Sequence, residues 1–172
     1  MLAVRPEARE LDPPQLDVTV VKAVRAPLPP QTLRSVLQVA LTEPVVAAAV
    51  GDLPQPLAVT VRIAGEREVR RLNRDFLGED HATDVLSFPS GTAAEDGYLG
   101  DLALSWPAVR DQAAAYGHDP AVEATLLLVH GLLHLLGWDH ATPEEEAEMT
   151  ARTLAGLALA NVHPAPVRLP ER

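Results

Sequence analysis

Residues 118–140 read HDPAVEATLLLVHGLLHLLGWDH, and the fold turns on where this stretch is placed. Asp119 is suited to cap a helix and Pro120 to occupy its first position, where a missing N–H costs nothing. From Leu126 to Leu136 apolar side chains run almost all the way round the helix. Such a helix is buried on most faces. Gly137 then stops it, and the chain turns back. Three of the six histidines of the chain, His130, His134 and His140, fall in the last eleven residues of this run.

His130 and His134 are four residues apart, so both rings lie on one face of the helix, one turn apart. His140 arrives three residues after Gly137. An H-x-x-x-H pair alone arises readily in a core. Three imidazoles among leucines are costly to bury unless each finds a partner, and one cation supplies all three partners at once. The chain has no cysteine, so any metal must be held by nitrogen or oxygen. Three neutral nitrogens with no fourth protein ligand predict a catalytic Zn2+, one per chain, with an open position. Nickel, copper or iron also suit three imidazoles. Asp139, beside His140, either orients a ligand from behind or ends the helix and faces water. The spacing H-x-x-x-H-x-x-G-x-x-H is similar to that of metzincin proteases, except that Gly131 stands where their catalytic Glu would be.

Working outward, LDVTVVKAV (16–24), LAVTVRIA (57–64), TDVLSFPS (83–90) and DLALSW (101–106) read as strands. Helices are expected over 31–43, 65–78, 107–117, 120–136 and 142–160, with Pro44 opening a further short piece. Val69, Leu72 and Phe76 are the expected apolar stripe of the second helix. Phe76, Phe88, Trp106 and Trp138 all sit in apolar contexts and are expected in the core. The order β-α-β-α-β-β-α-α-α predicts one domain, a small mixed four-stranded sheet packed by about five helices, with the metal site at the end of a buried helix. Residues 1–15 are expected to be a flexible lead-in, 16–160 the functional domain, and 161–172 a flexible tail rich in proline.

A chain of 172 residues with 47% hydrophobic and 22% charged content is that of an ordinary globular domain. No apolar run reaches the ~20 residues a membrane span needs, and the N-terminus lacks the apolar core of a signal peptide. The expected location is cytoplasmic, without membrane contact. The net charge of −10 argues against nonspecific coating of nucleic acid. Five arginines nevertheless cluster within 62–74.

HGLLHLLGWDH (130–140) resembles the signature of the YbeY family of bacterial rRNA maturation endoribonucleases. TDVLSFP (83–89), LGDLALS (99–105) and PEEEAEM (143–149) match further motifs of that family in order, covering about residues 57–160. The resemblance implies an α+β fold, a zinc held by His130, His134 and His140, and cleavage of single-stranded RNA. It also implies maturation of the 3′ end of 16S rRNA, quality control of ribosomal particles, and partners among rRNA, ribosomal particles and other proteins. Many members carry Y-R-G-x-D before the T-D-V-L-S-F strand; here the stretch is FLGED, and Leu77 replaces the Arg.

The missing Glu suits an RNA hydrolase. Either a metal-bound hydroxide or the substrate's own 2′-OH can attack, and the sequence leaves both open. Arg70, Arg71 and Arg74 are expected to contact the RNA backbone, since like charges stacked at i,i+4 cost helix stability and suggest a purpose. The alternative is a solvated face balanced by Glu66 and Glu68. Ser87, with Asp84, is expected to line the cleft or to hydrogen-bond at a strand edge. Two rival functions remain: a metzincin-like hydrolase acting on protein, and a non-catalytic ribosome-assembly factor with a zinc site. Oligomeric state is open.

Overall fold

A computed structural model describes residues 12–165. Four strands, β1 (Leu16–Lys22), β2 (Leu57–Ala64), β3 (Val85–Pro89) and β4 (Tyr98–Ser105), form one sheet in the order β1-β2-β4-β3. β1, β2 and β4 are mutually parallel, and β3 runs antiparallel at the edge beside β4. The sheet is therefore mixed, as the element order predicts. Among the described residues seven helices surround it: α1 (Pro30–Ala40), α2 (Pro44–Val50), α3 (Glu66–Leu72), α4 (Ala93–Asp96), α5 (Trp106–Tyr116), α6 (Pro120–Leu135) and α7 (Pro143–Leu159). Beyond the five long or expected helices, α2 is the piece opened by Pro44. α4 is a single turn inside a segment expected to be loop.

The architecture is organised around α6. Asp119 caps it by accepting the Ala121 N–H at 2.7 Å, with Pro120 at its first position. Everything from Glu123 to Leu133 is buried, because α6 packs against β3 and β4 on one side and α1, α5 and α7 on others. Leu126, Leu127, Leu128, Leu132 and Leu133 are each at most 2% exposed. Each such leucine stabilises the fold by about 1.5–3 kcal/mol. A smaller cluster of Ala64, Val69, Leu86 and Ala103, joined by Leu72 and Phe88, involves α3. No single helix among the described residues is long and apolar enough to cross a membrane.

β4 begins three residues before its expected start. The register slips between Ala58 and Val59 of β2, so that Leu99 is the extra residue of a bulge. Gly100 there has φ of 136°, and a Cβ on it would stand 2.1 Å from the Phe88 carbonyl oxygen. Only glycine permits this approach of β4 to β3, which gives the L-G-D stretch its physical reason.

The helix expected over 65–78 divides. After α3 the chain widens into a π turn over Asn73–Leu77, ended by Gly78. The wider turn carries later residues out of the stripe set by Val69 and Leu72. Phe76 is consequently 70% exposed and Leu77 51% exposed, a correction to the expectation that Phe76 lies in the core. Phe88, Trp106 and Trp138 are partly buried against the core clusters, as expected.

Residues 1–11 and 166–172 of the expected lead-in and tail lie outside the described residues. Of the remainder, Pro14 accepts a hydrogen bond from Gln38 Nε2 at 2.8 Å. His118 Nδ1 accepts the Ala165 N–H at 3.0 Å, while its Nε2–H donates to the buried carboxylate of Glu123. This imidazole ties Ala165 to the start of α6.

Candidate metal centre and cleft

The three histidines converge because of how α6 ends. Trp138 N–H donates to Leu133 O and Gly137 N–H to His134 O, both at 3.0 Å. This is the Schellman pattern, with Gly137 at φ 97°. The chain therefore reverses over the last turn and returns His140 to the face that carries His130 and His134. Asp139 is exposed, and its Oδ1 accepts the His140 N–H at 2.8 Å. It shapes the turn that presents this ring.

The ring centroids stand 4.8 Å apart for His130–His134, 4.9 Å for His134–His140 and 5.4 Å for His130–His140. One ligand-capable nitrogen from each ring lies within 4.8 Å of the others. Nitrogens bound to one tetrahedral zinc stand about 3.3 Å apart, so small ring rotations suffice to share an ion. His130 is 2% exposed, and its Nδ1 has no hydrogen-bond partner among the described residues. Burial, with His134 and His140 adding like charge, pushes its pKa down to about 3. At neutral pH its lone pair is free of protons. An uncharged, buried, under-partnered imidazole beside two others fits a cation.

The trio lines one wall of a cleft of about 540 Å³. β3 runs along it through Val85, Ser87 and Pro89, and Asn73 and Leu77 of the π turn face it with Glu79, His81 and Thr83. Ser87, expected to line the cleft, does so; its hydroxyl also donates to the Gly131 carbonyl at 3.1 Å, fastening β3 to α6. Asp84 lines it too. Its carboxylate accepts from Val85 N–H at 2.7 Å and from Gln112 Nε2 at 3.1 Å, and burial raises its pKa.

Position 131 explains the absence of a protease base. A Cβ on Gly131 would stand 3.0 Å from Leu102 Cδ2 and 3.2 Å from Ser87 Oγ. α6 meets the sheet there, so any side chain at 131 would have to displace Leu102 and Ser87.

The arginines occupy a different place. Arg70, Arg71 and Arg74 are exposed on α3 and the π turn, and none is among the residues lining the cleft. Arg70 forms a two-pronged pair with Asp80 at 2.9 and 3.3 Å. This hydrogen bonding raises the Arg70 pKa and lowers that of Asp80. Arg74 pairs with Asp75 at 2.9 Å, and Arg71 lies 3.9 Å from Glu68. Leu77, at the position of the family arginine, is on the cleft wall, and Arg74, paired with Asp75, is not among the lining residues.

Sequence reasoning missed His81. Its Nε2 is 3.4 Å from Glu79 Oε2, its Nδ1–H donates to Ala82 O at 3.1 Å, and Asn73 Nδ2 donates to its carbonyl at 3.1 Å. The fourth histidine of the cleft has no helical or strand period to announce it. Its place depends on the buried Asn73, which holds the loop.

A family model described as endoribonuclease YbeY matches residues 26–159. The endoribonuclease YbeY of Alkalilimnicola ehrlichii is 40% identical over 171 residues, covering 94% of this chain and 96% of that protein. The endoribonuclease YbeY of Chloroflexus aggregans is 48% identical over 115 residues, 59% of this chain and 72% of that one. The solution structure of TM1509 from Thermotoga maritima superposes with a TM-score of 0.53 at 22% identity, covering 88% of this chain and all of that one. That likeness concerns the fold alone.

Proposed function

Because the chain belongs to the endoribonuclease YbeY family, we propose that it is a metal-dependent endoribonuclease that cuts single-stranded RNA in its histidine-walled cleft. The observation that carries this reading is the convergence of His130, His134 and His140 on the wall of an open cleft, with Gly131 leaving no carboxylate base among them. The three rings would hold one Zn2+ per chain. When bound, such an ion supplies positive charge to the phosphodiester and acidity to a nucleophile.

The chain's own residues do the rest. Burial keeps His130 unprotonated and ready as a ligand. The Gly137 turn and Asp139 present His140. Ser87 locks the strand beneath the substrate to the helix that carries the ligands. Arg70, Arg71 and Arg74 lie outside the cleft on the segment that leads into its Asn73 and Leu77 wall, and the Arg70–Asp80 and Arg74–Asp75 pairs are exposed. Exposed ion pairs contribute little in water, so RNA phosphates can exchange for the carboxylates. The proposed substrate is rRNA, processed at the 3′ end of 16S rRNA and in ribosome quality control. Ribosomal particles are the proposed partners and the cytoplasm the proposed location.

The test is cleavage by zinc-loaded wild type and its His134→Ala variant, with labelled single-stranded RNA, duplex RNA and an unfolded protein as substrates. Wild type is expected to cut only the single strand and the variant nothing, with circular dichroism verifying that the variant folds. Stoichiometric zinc without RNA cleavage would overturn the enzyme reading in favour of an assembly factor, and protein cleavage would favour a protease.

A further inference from the structure

Among the larger aromatic side chains, Phe76 is the only one of the described residues that is exposed, at 70%. The ring is anchored on one side. Its centroid is 5.6 Å from that of Phe88 in an edge-to-face arrangement with an interplanar angle of 65°. Such a contact fixes the orientation of an exposed ring. The surroundings are those of the cleft. Phe76 precedes Leu77, which lines it, while Phe88 alternates with the cleft-lining Ser87 and Pro89 along β3 and packs on the α3 side of the sheet with Val69 and Leu86. Phe76 therefore stands beside the cleft, one residue from its lining, against the edge strand β3.

We propose that Phe76 is a base-stacking platform, on which an unpaired nucleobase of the RNA strand rests while a neighbouring phosphate lies in the cleft. The inference rests on the endoribonuclease reading and adds to it a residue that positions substrate. Three arguments select a nucleobase as the occupant. A ring that is 70% exposed while packed at 65° against Phe88 leaves π surface that any base can cover. An aromatic side chain carries about 150–250 Å², and with Leu77 the patch falls well short of the roughly 800 Å² per partner of a stable protein interface. Arg70 and Arg74, paired with Asp80 and Asp75, are exposed on the same segment of chain as Phe76, and can exchange those carboxylates for the phosphates on either side of the base.

A physical basis for strand selectivity follows. A base in a duplex is stacked on its neighbours and cannot cover Phe76, whereas an unpaired base can be splayed onto it.

The experiment is fluorescence anisotropy of the full chain, in chelator to prevent cleavage, with a labelled single-stranded RNA and an abasic strand of equal length and charge. Wild type is expected to bind the strand with bases more tightly than the abasic strand. Phe76→Ala should weaken binding of the former about 5- to 150-fold and leave the latter unchanged. Phe76→Trp should restore the difference, and Phe76→Leu, which keeps apolar area without a π face, should not. Equal binding by wild type and Phe76→Ala, with RNA cleavage by wild type intact, would overturn the platform and spare the nuclease reading. Wild type that neither binds nor cuts RNA would remove both. A shift from dimer to monomer in Phe76→Ala, seen by sedimentation with RNA affinity unchanged, would assign the ring to self-association instead.

Discussion

Acidification of the metal-free protein tests the electrostatics of the ligand trio directly. The His130 imidazole titrates at 6.5 when unperturbed and near 3 in the fold, chiefly because burial disfavours its charged form. Below 6.5 the unfolded chain takes up a proton that the native state refuses. Stability is therefore fully present above 6.5 and is lost as the pH falls toward 3. The full difference is worth about 5 kcal/mol, at about 1.4 kcal/mol for each pH interval of one. Between pH 7 and pH 5 the loss is about 2 kcal/mol, a large part of a typical folding free energy of roughly 5–15 kcal/mol. Asp84 and Glu123 act in the opposite sense. Burial raises both carboxyls, so their penalty grows as the pH rises through their folded pKa values and is relieved on acidification. A comparison with His130→Leu isolates the imidazole, since leucine fits the apolar surroundings and cannot titrate. Urea denaturation in chelator at pH 7, 6 and 5 should show wild type losing about 2 kcal/mol more than the variant. A difference below about 0.5 kcal/mol would refute the assignment of His130 as a buried neutral ring.

Other outcomes follow from the same geometry. Zinc at one hundred times its Kd should stabilise wild type by about 2.7 kcal/mol and raise Tm by roughly 5–10 °C, while His134→Ala should show little shift in differential scanning fluorimetry. Gly131→Glu should lower stability by about 3–5 kcal/mol, because it drives an unpaired carboxylate between α6 and Leu102; its urea midpoint is the measure, and no peptidase activity should appear. Gly100→Ala should cost about 3 kcal/mol or more, since its Cβ collides with the Phe88 carbonyl oxygen and its φ is unfavourable; an unchanged Tm would disprove the close approach.

The ligand trio was legible because its spacing is local. His130 and His134 share a face by helical periodicity, and a glycine after the last apolar residue announces a reversal. The capping signals were equally local: Asp119 and Thr142 cap where expected, the latter in a reciprocal capping box with Glu145. β2 occupies its expected span, Leu57–Ala64, because β-branched residues fill its centre. The errors arose where tertiary contacts override local preference. Phe76 satisfies the i, i+3, i+7 stripe of an α-helix, yet a π turn after Leu72 rotates it outward. The start of β4 was missed because a bulge at Leu99–Gly100 reads as loop composition.

Periodicity, capping residues and turn glycines are properties of adjacent residues, and they alone determined the four strands, the buried helix and the three converging imidazoles. Which residues face those imidazoles is a matter of packing between elements distant in the chain. Docking α6 on β3 and β4 left no room at Gly131, set Ser87 against its carbonyl, and opened the cleft between α6 and the π turn. The same docking brought Asn73, Leu77 and His81 onto the cleft that the trio lines and left the arginines outside it. Side chains more than forty residues apart in sequence meet there because the sheet order places β3 at an edge, and no local pattern encodes that neighbourhood.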